Sequence, residues 1–356
     1  MNKIFEVFAS ELGSGNNADT IKNLFQKAYL NHENLTDATR YLANALFGEY
    51  GLVILDPDNA DLKREFIPYI KDELLHQTAN KSVLETIEKL KDYPIQVNPR
   101  EINLFFIEND LRERIILEGE IYKVNHTDIE FSESEILDLL EKHPEKFSPN
   151  VIMRPLYQEV ILPNLCYIGG GGELAYWLEL KSYFDKVDVT FPMLLLRNSV
   201  LLVTEKQAKK ADKLELSWTD LFSKQDDLVN LKVKQFSQFP INFSVQKAFL
   251  QKQFDDLRQI AVQTDQSFLG AVKAQEAKQI KGLDHLEKRL LKAQKRKYAS
   301  ALECITNLQN ELFPNHGLQE RTVNFSEYYL ENGPLLIEKL LNELDPLNHT
   351  FEIIVL

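Results

Sequence analysis

Apolar residues recur at helical spacing near the start of the chain and in short runs further on. Two stripes with steps of three and four predict two helices within residues 1–50. The first stripe consists of Ile21, Leu24, Phe25 and Ala28, and the second of Ala38, Leu42, Ala45 and Leu46. Two more helices are predicted at about residues 60–76 and 81–92. Ser132 and Glu135 have the spacing of a capping box and predict another helix start.

The short apolar runs that separate these helices predict strands. GLVILDPD at residues 51–58 and the apolar run at residues 104–107 have the composition of buried parallel strands. Alternation around Gly119 in residues 115–124 predicts a hairpin. Later runs read LCYI, MLLLR, SVLLVT and, at the end of the chain, FEIIVL. Strands that alternate with helices indicate an α/β fold, and we expect a mainly parallel sheet covered on both faces.

Between Pro240 and Pro314 the pattern changes to long helices. Apolar or small residues recur in steps of four and three at Leu250, Phe254, Leu257, Ala261, Thr264, Phe268 and Ala271. Asp265 is the expected N-cap after a break at residues 263–265, which predicts a helical hairpin. Its second arm would extend about 70 Å. An eleven-residue step from Leu290 to Ala301 should relax the left-handed supercoil there.

These patterns predict three regions. They are an α/β core at residues 1–240, a helical coiled-coil hairpin at 241–313, and a segment at 314–356 that packs back on the core. A long helical projection most often binds a second copy of its own chain. We therefore expect a homodimer formed through the hairpin.

The acidic composition limits the partners of the chain. Its 356 residues include 41 Lys and Arg against 54 Asp and Glu, a formal net charge of −13, which disfavours general binding to nucleic acid or anionic membranes. The two cysteines and seven histidines show no disulfide framework and no metal-ligand spacing. The amino terminus does not read as a signal peptide, and no run approaches the roughly 20 apolar residues of a membrane span. We expect a cytoplasmic protein without a metal.

Four consecutive glycines stand out in NLCYIGGGGELAYWLELK, residues 164–181. A glycine turn between a strand and a helix can direct backbone N–H groups at an anion, or it can simply allow close packing. The segment fits neither GxGxxG nor a phosphate-binding loop, so the turn alone favours packing. Its neighbours Arg154, Gln158, Glu173 and Tyr176 favour a substrate site.

A second polar cluster, IENDLRER, contains Glu108, Asn109 and Asp110 just after a predicted strand. Carboxylates at the carboxyl end of a parallel strand can act as an acid, a base or an amine-binding group. The alternative is a polar hairpin in which Arg112 and Arg114 pair with neighbouring carboxylates.

Asp56 and a basic stretch at residues 271–298 also have two interpretations each. Asp56 can contact a ligand after its strand, but we favour a cap of the following helix. The basic stretch has nine Lys or Arg against three acids, which is typical of the solvated face of a coiled coil. The same positive charge can hold nucleotide phosphates.

The glycine segment resembles a known family when its flanks are included. MRPLYQEVILPNLCYIGGGGELAYWLELK is similar to a segment of the bacillithiol biosynthesis enzymes that add cysteine to glucosaminyl malate. GLVILDPD, QVNPREINLFFIENDLRERI and LFPNHGLQER match further segments in the same order. The likeness runs from about residue 40 to the carboxyl terminus.

The resemblance implies a Rossmann-like core, a dimerising coiled coil and a ligase that joins L-cysteine to the amine of glucosaminyl malate. That amide bond needs an activated acyl group, so a nucleotide such as ATP or ADP is a reasonable cofactor. The family's TGQQ-like turn and EDHD-like segment are absent from this sequence. We therefore expect a member that lacks the amino-terminal part of the core and is poorly active or inactive in isolation.

In this interpretation the residues around the glycines bind the anionic end of a substrate, and two carboxylates are catalytic candidates. The substrate-binding set is Arg154, Gln158, Gly169, Gly170, Gly171, Gly172, Glu173 and Tyr176, and the catalytic set is Glu108 and Asp110. Two other classes stay open. They are a non-catalytic partner protein that docks through the coiled coil and a nucleotide-binding α/β protein of another reaction.

Overall fold

A computed structural model describes residues 2–264 and 266–356 of the chain. Their contacts separate two units. Unit 1 comprises Met1–Asn198 with Ile337–Thr350, and unit 2 comprises Ser199–Leu336 with Phe351–Leu356. The boundaries expected after residues 240 and 313 rest on sequence pattern alone and stay a prediction.

Unit 1 begins with three helices where the sequence predicted two. They are α1 (Asn2–Glu11), α2 (Asn16–Leu30) and α3 (Leu35–Phe47). The first predicted stripe faces inward, since Ile21 and Ala28 are buried. The second does so only in part, because Ala38 is buried but Ala45 is exposed. The additional helix α1 packs its aromatic side on α2, where the rings of Phe8 and Phe25 stack with centroids 4.7 Å apart.

The strand predicted in GLVILDPD is wrong. Residues 52–56 form no regular element, and Val53 is 87% exposed. An apolar run becomes a strand only where a neighbour completes its hydrogen-bond ladder. Among the described residues, no strand pairs with this segment.

The largest sheet of unit 1 has five antiparallel strands in the order β4-β3-β2-β1-β5. They are β1 (Leu104–Glu108), β2 (Leu111–Glu118), β3 (Ile121–Val124), β4 (Glu130–Phe131) and β5 (Phe147–Pro149). The hairpin predicted around Gly119 is confirmed, with Gly119 at φ +67°. The expectation that this region joins a parallel sheet is wrong, because short turns connect β1 to β2 and β2 to β3.

Helices cover this sheet and supply its core. They are α4 (Ala60–Glu65), α5 (Ile67–His76), α6 (Thr78–Lys89) and α7 (Glu133–Lys142). The predicted Ser132–Glu135 capping box starts α7. The core contains the fully buried rings of Phe66, Phe106 and Phe147.

A parallel strand pair carries the glycine turn. Strands β6 (Cys166–Gly169) and β7 (Met193–Leu196) pair in parallel, with Gly169 opposite Leu196. The helices next to them are α8 (Arg154–Ile161), α9 (Gly171–Glu179) and α10 (Lys181–Lys186). The sequence predicted one helix from the glycines to Val187, but the structure divides it at Leu180. The buried rings of Trp177, Tyr183 and Phe184 connect these helices to the core of unit 1.

Unit 2 contains a second parallel pair, β8 (Ser199–Val203) with β9 (Phe351–Val355). The predicted terminal strand FEIIVL is thus present, and its partner is SVLLVT. The other elements around this core are α11 (Glu205–Lys213), α12 (Trp218–Leu221), α13 (Gln225–Phe236), α16 (Ala299–Leu312) and α17 (Ser326–Asn332). Helix α18 (Leu335–Glu343) begins at the boundary of the units.

The predicted helical hairpin consists of α14 (Ser244–Val262) and α15 (Gln266–Lys297). Phe254, Ala261 and Val272 form its buried contact. The long second arm is interrupted at Tyr298, between α15 and α16, inside the eleven-residue step of the apolar pattern. Asp265, the expected N-cap, lies outside the described residues.

Candidate functional site

The first two glycines of the turn lie against neighbouring side chains, and the packing at Gly169 leaves no room for a larger residue. A methyl group on Gly169 would lie 2.7 Å from the ring of Tyr167, and one on Gly170 would lie 3.4 Å from the guanidinium carbon of Arg197. The backbone N–H of Arg197 also donates to the carbonyl of Gly169 at 2.9 Å. A larger residue at Gly169 would displace the Tyr167 ring, whereas Gly170 only touches the end of the Arg197 side chain.

The last two glycines of the turn face open space. A methyl group on Gly171 or Gly172 would meet no heavy atom within 4 Å. Both residues lie in the first turn of α9, where backbone N–H groups have no partner inside the helix. The carboxylate of Glu173 accepts the N–H of Gly170 at 2.8 Å and so stabilises the turn. The glycine segment therefore combines close packing at its start with an accessible helix terminus at its end.

Arg154 connects the helix before the turn to the helix after it. Its guanidinium donates to Gln158 Oε1 at 3.1 Å and to the hydroxyl of Tyr176 at 2.8 Å. Arg154 lies in the first turn of α8, so Gln158 is one helical turn further along. The structure thus brings together three of the predicted substrate-binding residues.

Two stacked aromatic rings, those of Tyr167 and Trp177, connect the Arg154 hydrogen-bond group to the core of unit 1. The ring of Tyr167 stacks on that of Trp177, which is fully buried, with centroids 4.2 Å apart. Burial raises the pKa of the Tyr167 hydroxyl, and nearby Tyr176 and Glu173 raise it further, while Arg154 opposes the rise. Tyr167 therefore stays a neutral hydroxyl beside the guanidinium at physiological pH.

Glu108 and Asp110, the catalytic candidates, lie elsewhere in unit 1. Asn109 and Asp110 form the two-residue turn between the antiparallel strands β1 and β2, and Asn109 has φ +50°. The carboxylate of Glu108 pairs with Lys146. The placement at the end of a parallel strand is therefore wrong, and the hairpin of the alternative interpretation is confirmed. The ion pairs expected for Arg112 and Arg114 in that hairpin are not: the guanidinium of Arg112 lies on the ring of Phe105, and among the described residues neither arginine pairs with a carboxylate. Among the described residues, neither carboxylate lines a cavity that Arg154 lines.

A cavity of about 830 Å³ lies beside α8 and is lined by Arg154, Gln158 and the exposed apolar segment 52–55. Asp56 is at its edge, with a carboxylate oxygen 3.5 Å from Arg40. The expectation that Asp56 caps the next helix is wrong. Asp56 accepts the N–H of Asp58 in a turn, and Asn59 caps α4.

Arg154 also lines a second depression, of about 690 Å³, that the sequence did not reveal. The other basic residues around it are Arg100, Arg112 and Arg114. The spacing of Arg112 and Arg114 on a strand is a signal that places both side chains on one face. No sequence pattern connects them to Arg100 or Arg154, because these arginines come from different elements.

Residues 2–264 and 266–356 offer neither a metal site nor a membrane span. They contain no group of three His, Cys, Asp or Glu side chains arranged to hold a metal ion. No described helix is long and apolar enough to cross a membrane.

Comparison with known proteins gives matches over both units. Residues 1–198 match the family described as "Bacillithiol biosynthesis BshC, N-terminal Rossmann-like domain", and residues 200–356 match "Bacillithiol biosynthesis BshC, C-terminal coiled-coil domain". A Flavobacterium johnsoniae protein named "Putative cysteine ligase BshC" is 64% identical over 354 residues, which cover 99% of this chain and 67% of that protein. A protein of the same name from Christiangramia forsetii is 56% identical, over 99% of this chain and 66% of its own length. The chain thus spans about two thirds of the length of these relatives.

Proposed function

Because the chain belongs to the bacillithiol biosynthesis BshC family, we propose that it acts as a cysteine ligase that forms a C–N bond. The acceptor is the glucosamine amine of glucosaminyl malate, and the donor is the carboxyl group of L-cysteine. The observation that carries this proposal is that the family match extends over both units.

The chemistry defines what such a site must do. A free carboxylate is a poor acyl donor, so one carboxyl oxygen of cysteine must first carry an activating group, for example a phosphoryl or nucleotidyl group supplied by a nucleotide. The amine nitrogen would then attack the carboxyl carbon, so that the C–N bond forms, the C–O bond to the activating group breaks, and that group leaves with the oxygen. The amine must also lose a proton, which calls for a base. The site therefore needs anion-binding groups, an amine-binding group and a proton acceptor.

We assign the anion-binding role to the glycine turn and the Arg154 group. Gly169 and Gly170 shape the turn, while Gly171, Gly172 and the start of α9 at Glu173 offer backbone donors to a carboxylate. Arg154, Gln158 and Tyr176 form one hydrogen-bonded set that orients the substrate.

Glu108 and Asp110 stay the candidates for the amine end or for proton transfer. Asp110 is exposed, whereas Glu108 is half-buried and pairs with Lys146. Opening of that ion pair would be needed before Glu108 could accept a proton.

We further propose that two copies associate through the helical hairpin in the cytoplasm. Several large apolar side chains of the hairpin are exposed: Val245, Phe249, Ile260, Val262 and Phe268. Exposed apolar side chains along a paired helix favour association with a further helix.

Thiol profiling of a strain that lacks the gene tests the proposed function. We expect bacillithiol to disappear and glucosaminyl malate to accumulate. Unchanged bacillithiol without accumulated glucosaminyl malate would reject the ligase and favour a non-catalytic partner protein or another reaction.

Complementation of that strain tests the Arg154 group. Arg154→Lys keeps the positive charge but cannot bind Gln158 and Tyr176 as a planar fork, so we expect bacillithiol to fall roughly 10-fold or more. Arg64→Lys is the matched control, because Arg64 is an exposed residue of α4 that pairs with Asp61. Equal bacillithiol in the two complemented strains would contradict the role of Arg154.

A further inference from the structure

Four arginines surround one depression of unit 1. The proposed function gives a role to only one of them, Arg154. We propose that this arginine depression, bounded by Arg100, Arg112, Arg114 and Arg154, binds the malate dicarboxylate of glucosaminyl malate. The inference rests on the proposed function for the identity of the ligand. It leaves the glycine turn for the carboxyl group of cysteine.

The strand register places two of the arginines side by side. Arg112 and Arg114 alternate along β2 and therefore project from the same face. Phe105 of β1 is opposite Arg114, and its ring lies 3.8 Å from the guanidinium carbon of Arg112. Stacking on the ring restrains the Arg112 guanidinium and leaves its N–H edges available to a ligand.

A buried hydrogen-bond network holds the segment that carries Arg100. The backbone N–H of Arg100 donates to Asn103 Oδ1 at 3.0 Å, and Asn103 Nδ2 donates to the carbonyl of Arg100 at 2.8 Å. Asn103 in turn donates twice to the buried carboxylate of Glu73, at 3.0 and 2.8 Å. This wall of the depression is therefore formed before any ligand arrives.

The same network extends to the fourth arginine. Asn150 Nδ2 donates to Asn103 Oδ1 at 2.9 Å, and the carbonyl of Asn150 accepts the N–H of Arg154 at 2.8 Å. Asn103 thus holds the backbone of Arg100 directly and that of Arg154 through Asn150. Such support is typical of a binding site whose geometry must be kept.

The depression holds positive charge without compensation. Its lining contains four arginines and no Asp or Glu, in a chain with a net charge of −13. Within the described part of the chain, no carboxylate lies within 4.0 Å of any of these four guanidinium groups. Repulsion among like charges destabilises such a group unless an anion enters it.

The composition of the lining favours a dicarboxylate over a polyphosphate. A guanidinium binds either a carboxylate or a phosphate through two parallel N–H···O bonds, and four arginines are enough for a ligand with two carboxylates. The lining contains neither a lysine nor a glycine, and so lacks the usual parts of a polyphosphate loop. Its remaining residues include Asn98, Pro149 and Val151, which suit the carbon skeleton of a small organic acid.

Isothermal titration calorimetry on the full chain tests the proposal. The probes are glucosaminyl malate, L-malate, glucosamine and inorganic pyrophosphate. For Arg112→Gln/Arg114→Gln we expect the affinity for glucosaminyl malate and L-malate to fall about 100-fold or more. Arg114→Lys should lose roughly 10-fold, because it keeps the charge but not the fork. The matched control Arg64→Gln should bind like the wild type.

Three outcomes would overturn the proposal. They are unchanged glucosaminyl malate binding by the double variant, no binding of either malate compound by the wild type, and arginine-dependent binding of pyrophosphate alone. The single variant Arg114→Lys keeps the test valid if the double variant does not fold. Arginine-dependent malate binding by a chain whose deletion leaves bacillithiol unchanged would support this site and reject the ligase, so the two failures are distinguishable.

Discussion

The helical hairpin and the arginine depression differ in whether their positive charges are paired with carboxylates. On the helical hairpin, Lys247 Nζ lies 2.8 Å from Asp284 and 2.9 Å from Glu287, and Arg258 contacts both Asp255 and Glu276. Around the arginine depression, no described carboxylate neutralises any of the four guanidinium groups. On the hairpin, opposite charges of the two helices pair with each other. In the depression, the proposed partner of the positive charge is a ligand.

The support behind the charges differs as well. The ion pairs of the hairpin are at the surface, where a pair stabilises little. The depression is held by Glu73 and Asn103, which are both fully buried. A region that keeps unpaired charges in place needs stronger support than a region whose charges attract one another. This comparison leads to four predictions about stability.

We expect the largest effect from Glu73→Ala. The change leaves three buried donors, the N–H of Ala79 and two N–H groups of Asn103, without their acceptor. The free energy of unfolding should fall by about 3 kcal/mol. Urea unfolding followed by circular dichroism measures it, with the exposed Glu85→Ala on α6 as the control. A loss no larger than that of the control would show that the buried network does not support the depression.

Lys247→Met should have a smaller effect. It removes the cation between Asp284 and Glu287 while it keeps most of the aliphatic side chain. We expect the melting temperature to fall by roughly 2 °C. Lys252→Met, on the same helix α14, is the control and should leave the melting temperature unchanged. Equal melting temperatures of the wild type and both variants would show that the Lys247 ion pairs do not stabilise the helical hairpin.

Arg112→Gln/Arg114→Gln should act in the opposite direction in the absence of ligand. Removing two unpaired like charges should leave the free energy of unfolding unchanged or raise it by about 0.5 kcal/mol. Urea unfolding without added anions measures the difference. A loss of stability by more than about 1 kcal/mol would show that these arginines have a structural role.

The smallest effect should be the pH dependence of the hairpin. Hydrogen bonds from Lys247 lower the pKa of Asp284 and of Glu287 below their ordinary values. Their contribution is therefore present above the ordinary carboxyl pKa values and is lost as the pH falls through the lowered ones. The difference in urea midpoint between wild type and Lys247→Met should shrink between about pH 6 and about pH 3. A difference in urea midpoint that stays constant from about pH 6 to about pH 3 would contradict the lowered pKa values of Asp284 and Glu287.

Much of the local structure could be predicted because it depends on neighbouring residues. The Ser132–Glu135 capping box, the turn at Gly119 and the glycine turn before α9 each need only a few adjacent positions. The Rossmann-like and coiled-coil domains followed from the sequence motifs around RPLYQE and GELAYW. Local chemistry and family motifs are thus enough to predict the domain types and the grouping of Arg154 with Gln158 and Tyr176.

The remainder depends on which elements meet. A short apolar run such as residues 104–107 fits a buried strand of either kind of sheet, so the sequence alone predicts the wrong kind of edge for Glu108 and Asp110. GLVILDPD reads as a buried strand, but strand formation needs a partner that no local pattern specifies. The arginine depression joins β2, α8 and the segment before β1 and is visible only in the folded chain.

The most direct test of the contrast between paired and unpaired charges is the NMR spectrum of the arginine side chains. We predict that L-malate shifts the Nε–H resonances of Arg100, Arg112, Arg114 and Arg154 and leaves those of Arg64 and Arg258 in place, because the latter two already contact carboxylates. Unchanged resonances of the four arginines at saturating L-malate would contradict the account.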